Sequence, residues 1–190
     1  MFMPEACLFD LDGLLLDTEP LHGKAWAQAA ASFGKNLDKS QLRLLRGRRR
    51  LDCAKQILEW MNTELRVEDL LSIQRPIAKK LLSKAKAMPG AKELVEFCFK
   101  INLPMAIVTS STEDSFVFKT APHPWLNKIE TRVLGDDHSL LAGKPSPEPF
   151  LLAAKKLNVR PKHCWALEDS QAGIKAALDA GCHVWALNEE

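Results

Sequence analysis

An apolar run, Ala6-Cys7-Leu8-Phe9, stops abruptly in the acidic stretch Asp10-Leu11-Asp12-Gly13. A continuous apolar run of this length suits a strand covered on both faces, as in a parallel sheet. In open sheets of that kind ligands gather beyond the carboxyl ends of the strands, where Asp10 and Asp12 fall. Spaced by two on an extended chain, the two carboxylates point to the same side, and Gly13 allows the backbone to turn away at once. One acid can attack while the other moves a proton.

From Asp17 the pattern becomes helical. Leu21, Ala25, Trp26, Ala29, Ala30 and Phe33 recur at helical spacing until Gly34, and further helices are predicted over Lys39 to Leu45, Leu51 to Met61 and Val67 to Lys86. No strand pattern interrupts them, so this stretch reads as a helical cap inserted over a site. After Met88-Pro89-Gly90, helix and apolar strand alternate. Helices are predicted over Ala91 to Lys100, Ser115 to Ala121, Pro147 to Leu157 and Ser170 to Ala180. Strands are predicted over Pro104 to Val108, Thr131 to Leu134, Cys164 to Leu167 and His183 to Leu187. Such alternation builds a parallel sheet with helices on both faces. The predicted division is a core of residues 1–17 and 88–190 and a cap of residues 18–87.

Three of the strands end in polar residues: Asp10, Thr109-Ser110, and Glu168-Asp169. A parallel sheet brings these ends to one edge. Lys144 lies in Gly143-Lys144-Pro145-Ser146-Pro147-Glu148-Pro149, a loop stiffened by three prolines. Ionised Asp10, Glu168 and Asp169 against one lysine leave an excess of negative charge that a hard divalent cation would neutralise. Mg²⁺ fits, since it takes a few carboxylates together with phosphate oxygens of a substrate. The expected ligands are Asp10, the backbone carbonyl of Asp12, Asp169, and Glu168 directly or through water. A phosphate carrying about −1.5 to −2 charge needs further donors. Thr109 offers its hydroxyl, and the N–H groups after it are expected to open a helix. The expected chemistry is attack by Asp10 on phosphorus, with Asp12 as proton donor and then base. A proton donor near neutral pH needs a raised pKa, and the neighbouring carboxylates are expected to raise that of Asp12.

The segment Asp10-Leu11-Asp12-Gly13 with Asp17-Thr18-Glu19-Pro20 resembles the first motif of the haloacid-dehalogenase superfamily, in its branch of β-phosphoglucomutase and sugar-phosphate phosphatases. Val108-Thr109-Ser110-Ser111, Gly143 to Phe150, and Leu167 to Ile174 are similar to the second, third and fourth motifs, so the resemblance spans nearly the whole chain. It implies a Rossmann-like α/β core with an inserted all-helical cap, a Mg²⁺-dependent enzyme, and a small phosphorylated substrate. Asp10 is implied as nucleophile, Asp12 as acid/base and Lys144 as charge anchor, with Ser110 beside Thr109 at the phosphate. His22 is either a buried, hydrogen-bonded histidine or, as in the relatives, a substrate contact. Arg50 matches the arginine that the cap contributes to the far part of the substrate. Glu19-Pro20 follows the phosphatases, where mutases carry a small residue, and so favours hydrolysis over phosphoryl return. The relatives continue past the last strand into a closing helix, so one sheet edge is expected to be poorly covered.

Composition bounds the alternatives. The net charge of +2 is too small to announce a nucleic-acid binder, although basic residues concentrate between Arg43 and Arg50. A non-catalytic or nucleic-acid-binding protein using that stretch is therefore the rival from another class. Five scattered cysteines without a Cys-x-x-Cys pair speak against a zinc site or a disulfide framework. No signal-like or membrane-length apolar stretch occurs, so the expectations are a cytoplasmic monomer with neither a membrane nor a nucleic-acid partner.

Overall fold

The computed structural model describes residues 3–187. Five strands, β1 (Ala6–Phe9), β4 (Met105–Val108), β5 (Thr131–Val133), β6 (Cys164–Glu168) and β7 (His183–Ala186), form one parallel sheet in the order β5-β4-β1-β6-β7. The intervening numbers belong to a short antiparallel ribbon of β2 (Leu16–Asp17) and β3 (Lys86–Ala87). This ribbon is where the chain leaves the core for the cap and returns.

The alternation of side chains along β1 explains why the sheet is covered twice. Ala6 and Leu8 face one core with Ala106, Val108 and Ala166, closed by Phe150, Ala153 and Ala154 of α7 (Glu148–Lys156) and Ala176 and Ala177 of α8 (Gln171–Asp179). Cys7 and Phe9 face the other with Met105 and Ile107. That side is closed by Ala91, Val95 and Cys98 of α5 (Ala91–Lys100), by Phe116 of α6 (Glu113–Thr120), and by Trp125 and Leu126. Each fully buried Leu, Ile or Phe in these layers contributes roughly 1.5–3 kcal/mol. The edge strand β7 is thinly covered, with Trp185 stacked edge-on against Trp165 yet 44% exposed.

The cap consists of α1 (Glu19–Ala31), α2 (Lys39–Leu45), α3 (Arg50–Met61) and α4 (Val67–Leu82). Trp26, Ala29 and Ala30 of α1 pack on Leu45, Ile57, Leu70 and Leu71 in a core of their own. Asp38 caps α2 by accepting from Gln41 N at 2.8 Å, with Gln41 returning the contact to Asp38 N.

Three boundaries differ from expectation by two residues or more. The last cap helix stops at Leu82 instead of Lys86, because Lys86 and Ala87 pair with Asp17 and Leu16. A two-residue strand carries no periodicity, so the sequence pattern cannot announce it. The first cap helix ends at Ala31, and Gly34 serves the turn after it at φ +79°. Helix α6 begins at Glu113, so the N–H groups of Ser110 and Ser111 lie before the helix and do not open it. Among the described residues no helix is long and apolar enough to cross a membrane.

Candidate active site

The register sets the site. Phe9 lies beside Leu167 and Ile107, so the next residue, Asp10, stands level with Glu168 and next to the end of β4. Asp10 N donates to Leu167 O at 3.1 Å, fixing the turn off the strand. From α7's leading loop, Lys144 Nζ reaches into this edge. It donates to Asp10 Oδ1 at 2.5 Å, to Val108 O at 2.8 Å, and to Glu168 Oε1. Lys144 is 2% exposed, and Asp10 and Glu168 hold its ammonium above the ordinary value despite burial.

Asp10, Glu168 and Asp169 each present a carboxylate oxygen, and these oxygens lie within 4.8 Å of one another. Burial drives Asp10 well above the usual carboxylate range, with Glu168, Asp169 and Asp12 adding to it and Lys144 opposing. Burial and then Glu168 push Asp169 up to about 7. Asp169 Oδ1 is buried without a partner. Three carboxylates against the single ammonium of Lys144 leave an excess of negative charge, and an oxygen-liganded divalent cation fits it. Glu168 is the least free of the three, since its Oε2 also accepts from Ser170 Oγ at 3.1 Å. Gly13 is required here. At φ +90°, a Cβ on it would fall 2.2 Å from Asp169 Oδ2.

Asp12 occupies a different environment from its neighbour. Lys119 Nζ donates to both of its carboxylate oxygens at 2.6 Å. Thr18 Oγ1 and Ser111 Oγ donate at 2.7 and 2.9 Å, Thr109 Oγ1 at 3.3 Å, and His22 Nε2 lies 3.1 Å from Oδ1. Burial would raise this acid, but Lys119 and His22 overcome it and hold Asp12 well below the usual carboxylate range. This corrects the expectation of a raised pKa, because the nearest charge is a lysine and not the other carboxylates.

Other candidates are placed with distinct partners. His22 lies against Asp12, and burial lowers its pKa. Thr109 is 3% exposed, and its hydroxyl accepts from Ser111 N at 3.1 Å. Ser110 Oγ donates across to the cap, to Gly47 O at 2.7 Å. Arg50, the first residue of α3, lines the cleft and donates to Ser115 Oγ at 3.4 Å. Asp10, Asp12, His22, Arg50, Thr109 and Ser110 thus border one cleft between cap and core, partly open to solvent.

Lys119, buried against Asp12, and Gln74 on the cleft wall escape sequence reasoning, whereas Glu19 is read there only as favouring hydrolysis. Lys119 falls four residues after Ser115 and three after Phe116, on the inward face of α6, and a lysine at such a position is the available signal. Glu19 pairs with Arg46 at 3.2 Å and is pushed up to about 8 by burial and then by Asp169 and Asp12. Gln74 lies on the buried stripe of α4 with Leu70, Leu71 and Ala78.

With this geometry, comparison with known proteins is decisive at the level of family. The family model for haloacid dehalogenase-like hydrolases matches residues 4–181. The chain belongs to that family. This hydrolase is 34% identical over 182 residues to a probable pseudouridine-5'-phosphatase of Drosophila melanogaster, covering 94% of the chain and 79% of the relative. It is 32% identical over 183 residues to (DL)-glycerol-3-phosphatase 2 of Arabidopsis thaliana, covering 93% and 76%. A solved structure of β-phosphoglucomutase from Clostridium difficile superposes with a TM-score of 0.84 at 27% identity, covering 96% of the chain and 83% of that protein.

Proposed function

We propose that this hydrolase is a Mg²⁺-dependent phosphatase that acts on a small phosphorylated metabolite through a phosphoryl group carried on Asp10. The observation that carries the reading is the Asp10–Lys144–Glu168 cluster with Asp169 at the carboxyl end of the sheet. Asp10, Asp169 and the main-chain carbonyl of Asp12 would hold the cation, with Glu168 chiefly anchoring Lys144. The bound cation supplies neutralisation of negative charge on the transferring group.

An Asp10 oxygen attacks phosphorus, forming an O–P bond as the bond from phosphorus to the substrate alcohol breaks, and the departing oxygen takes a proton from solvent water, to which the cleft is partly open and to which Asp12 returns a proton after the second step. Water then attacks the phosphorus and gives a proton to Asp12, and the bond to Asp10 breaks to release inorganic phosphate. Lys144 remains on Asp10 and faces the transferring charge. Asp12 as held by Lys119 is ionised, the form needed to receive the proton of water in the second step. His22 and Thr18 then act as positioning residues for Asp12. Thr109 and Ser110 line the phosphate side, and Arg50 the far side of the substrate. On this reading residues 18–87 are the cap and the remainder the catalytic core.

The likeness to β-phosphoglucomutase favours a phosphomutase as the second reading. A mutase needs a strong second anion site in the cap, whereas Arg46 is already engaged by Glu19 at 3.2 Å. The arginines between Arg43 and Arg50 also engage the protein itself: Arg48 meets Gln56, Arg49 lies on Gly143, and Arg50 meets Ser115. This speaks against their use as a nucleic-acid surface.

The test is phosphate release from a panel including glycerol 3-phosphate, ribose 5-phosphate and β-glucose 1-phosphate, with Mg²⁺ or with a chelator. Release with Mg²⁺ that the chelator abolishes is expected. Conversion of β-glucose 1-phosphate to glucose 6-phosphate, dependent on a trace of the 1,6-bisphosphate and with little free phosphate, would instead establish the mutase.

A further inference from the structure

Glu19 is 8% exposed, lines the cleft with Asp10 and Asp12, and takes no part in the steps described above. It opens α1, and its side chain lies over Gly13 together with that of Asp169. A Cβ built on Gly13 would fall 2.8 Å from Glu19 Cγ and 2.2 Å from Asp169 Oδ2. Arg46 meets Glu19 at 3.2 Å. After burial, however, the charges that act on Glu19 most are those of Asp169 and Asp12, ahead of Arg46. Pairing with Arg46 alone does not account for a carboxylate buried among other acids, since a buried charge is costly unless positive charge and hydrogen bonds serve it.

Asp10, Glu168 and Asp169 form the group whose oxygens converge within 4.8 Å, and Glu19 is not in it. It stands outside that set, against the one member, Asp169, that has a buried oxygen without a partner. Mg²⁺ keeps several of its waters when a few carboxylates bind it, and the groups just outside the ligands orient them and tune affinity. From the meeting of Glu19 and Asp169 over Gly13 we infer that Glu19 is the outer carboxylate of the cation site. It accepts a hydrogen bond from a water that the cation keeps, and Arg46 fixes its direction. The inference rests on the Mg²⁺-dependent reading and adds a residue to its cation site.

The test is binding of Mg²⁺ alone, measured by isothermal titration calorimetry, to the wild-type protein, Glu19→Gln, Arg46→Gln and the double variant, with Asp169→Asn as the loss of an inner ligand. Removing a partner just outside the ligands weakens a metal by about 10- to 100-fold. Glu19→Gln is expected to weaken Mg²⁺ within that range, and to do so again in the Arg46→Gln background. A merely structural Glu19 would shift the thermal melt and leave the Mg²⁺ affinity alone. Equal affinity of wild type and Glu19→Gln would overturn the inference and leave the cation site standing. A loss that vanishes in the Arg46→Gln background would also overturn it, since Glu19 would then act only by offsetting Arg46. A wild-type protein that does not bind Mg²⁺, or an Asp169→Asn protein that binds it equally well, would overturn the cation reading itself. Glu19→Ala removes the same charge and decides the question if Glu19→Gln fails to fold.

Discussion

Lys119 Nζ lies 2.6 Å from both carboxylate oxygens of Asp12, a contact between α6 and the loop after β1. It holds Asp12 ionised, while Asp10, two residues earlier, is held by Lys144. Each acid of the pair therefore has its own lysine. Replacing Lys119 by Met should raise the pKa of Asp12, since burial would then act with less opposition. The acid limb of the pH–rate profile should move to higher pH, and kcat should fall by about 10²- to 10⁴-fold, the usual span for a displaced acid–base group. An unshifted acid limb in a folded variant would separate Lys119 from the protonation of Asp12.

The cap is held on the core through Gly47. Its carbonyl accepts from Ser110, its φ is +71°, and a Cβ there would fall 2.1 Å from Ser170 Oγ and 2.6 Å from Ser170 Cβ. Ser170 cannot easily yield, because it caps α8 and donates to Glu168. Gly47→Ala should therefore push the loop off the core and lower kcat/KM by about 100-fold, the order of loss for a misplacement near 1 Å. Steady-state kinetics beside a thermal melt checks this, the melt separating a loss of turnover from a loss of folding. A normal kcat/KM would show that this contact is not needed for turnover.

Much of the fold is legible because β1, β4 and β6 are short apolar runs ending in polar residues, and because helices such as Lys39–Leu45 and Ala91–Lys100 carry their own periodicity. Asp10, Lys144, Glu168 and Asp169 are legible as motifs, and the register of β1 on β6 explains their meeting. Lys119 is less so, because its role depends on α6 being folded against the loop of Asp12, 107 residues away in the chain. The same holds for the pKa of Asp12. The sequence displays the nearby acids along the chain, while the lysine that overrides them is close only in space. The β2–β3 ribbon is invisible for another reason, since two-residue strands are set by pairing and not by pattern.

Glu19 gives a pH prediction. Its folded pKa is raised to about 8, so its contribution to stability is fully present below the unfolded value and is lost as pH rises through about 8. Glu19→Gln removes that dependence. The melting temperature of the variant relative to wild type should rise from pH 5 to pH 9, with the larger gain at the alkaline end. Thermal melts across that range in metal-free buffer provide the measurement, and a constant difference would mean that Glu19 titrates normally.

The most direct measurement is phosphate release by the wild-type protein and by Asp10→Asn, assayed side by side in Mg²⁺ on any substrate found active, with circular dichroism confirming that both are folded. The amide preserves the shape of Asp10 but cannot form the bond to phosphorus. The account requires turnover by the wild type and a loss of at least about 10³-fold in the variant, near the limit set by the remaining binding groups. A folded Asp10→Asn protein that releases phosphate at the wild-type rate would contradict it.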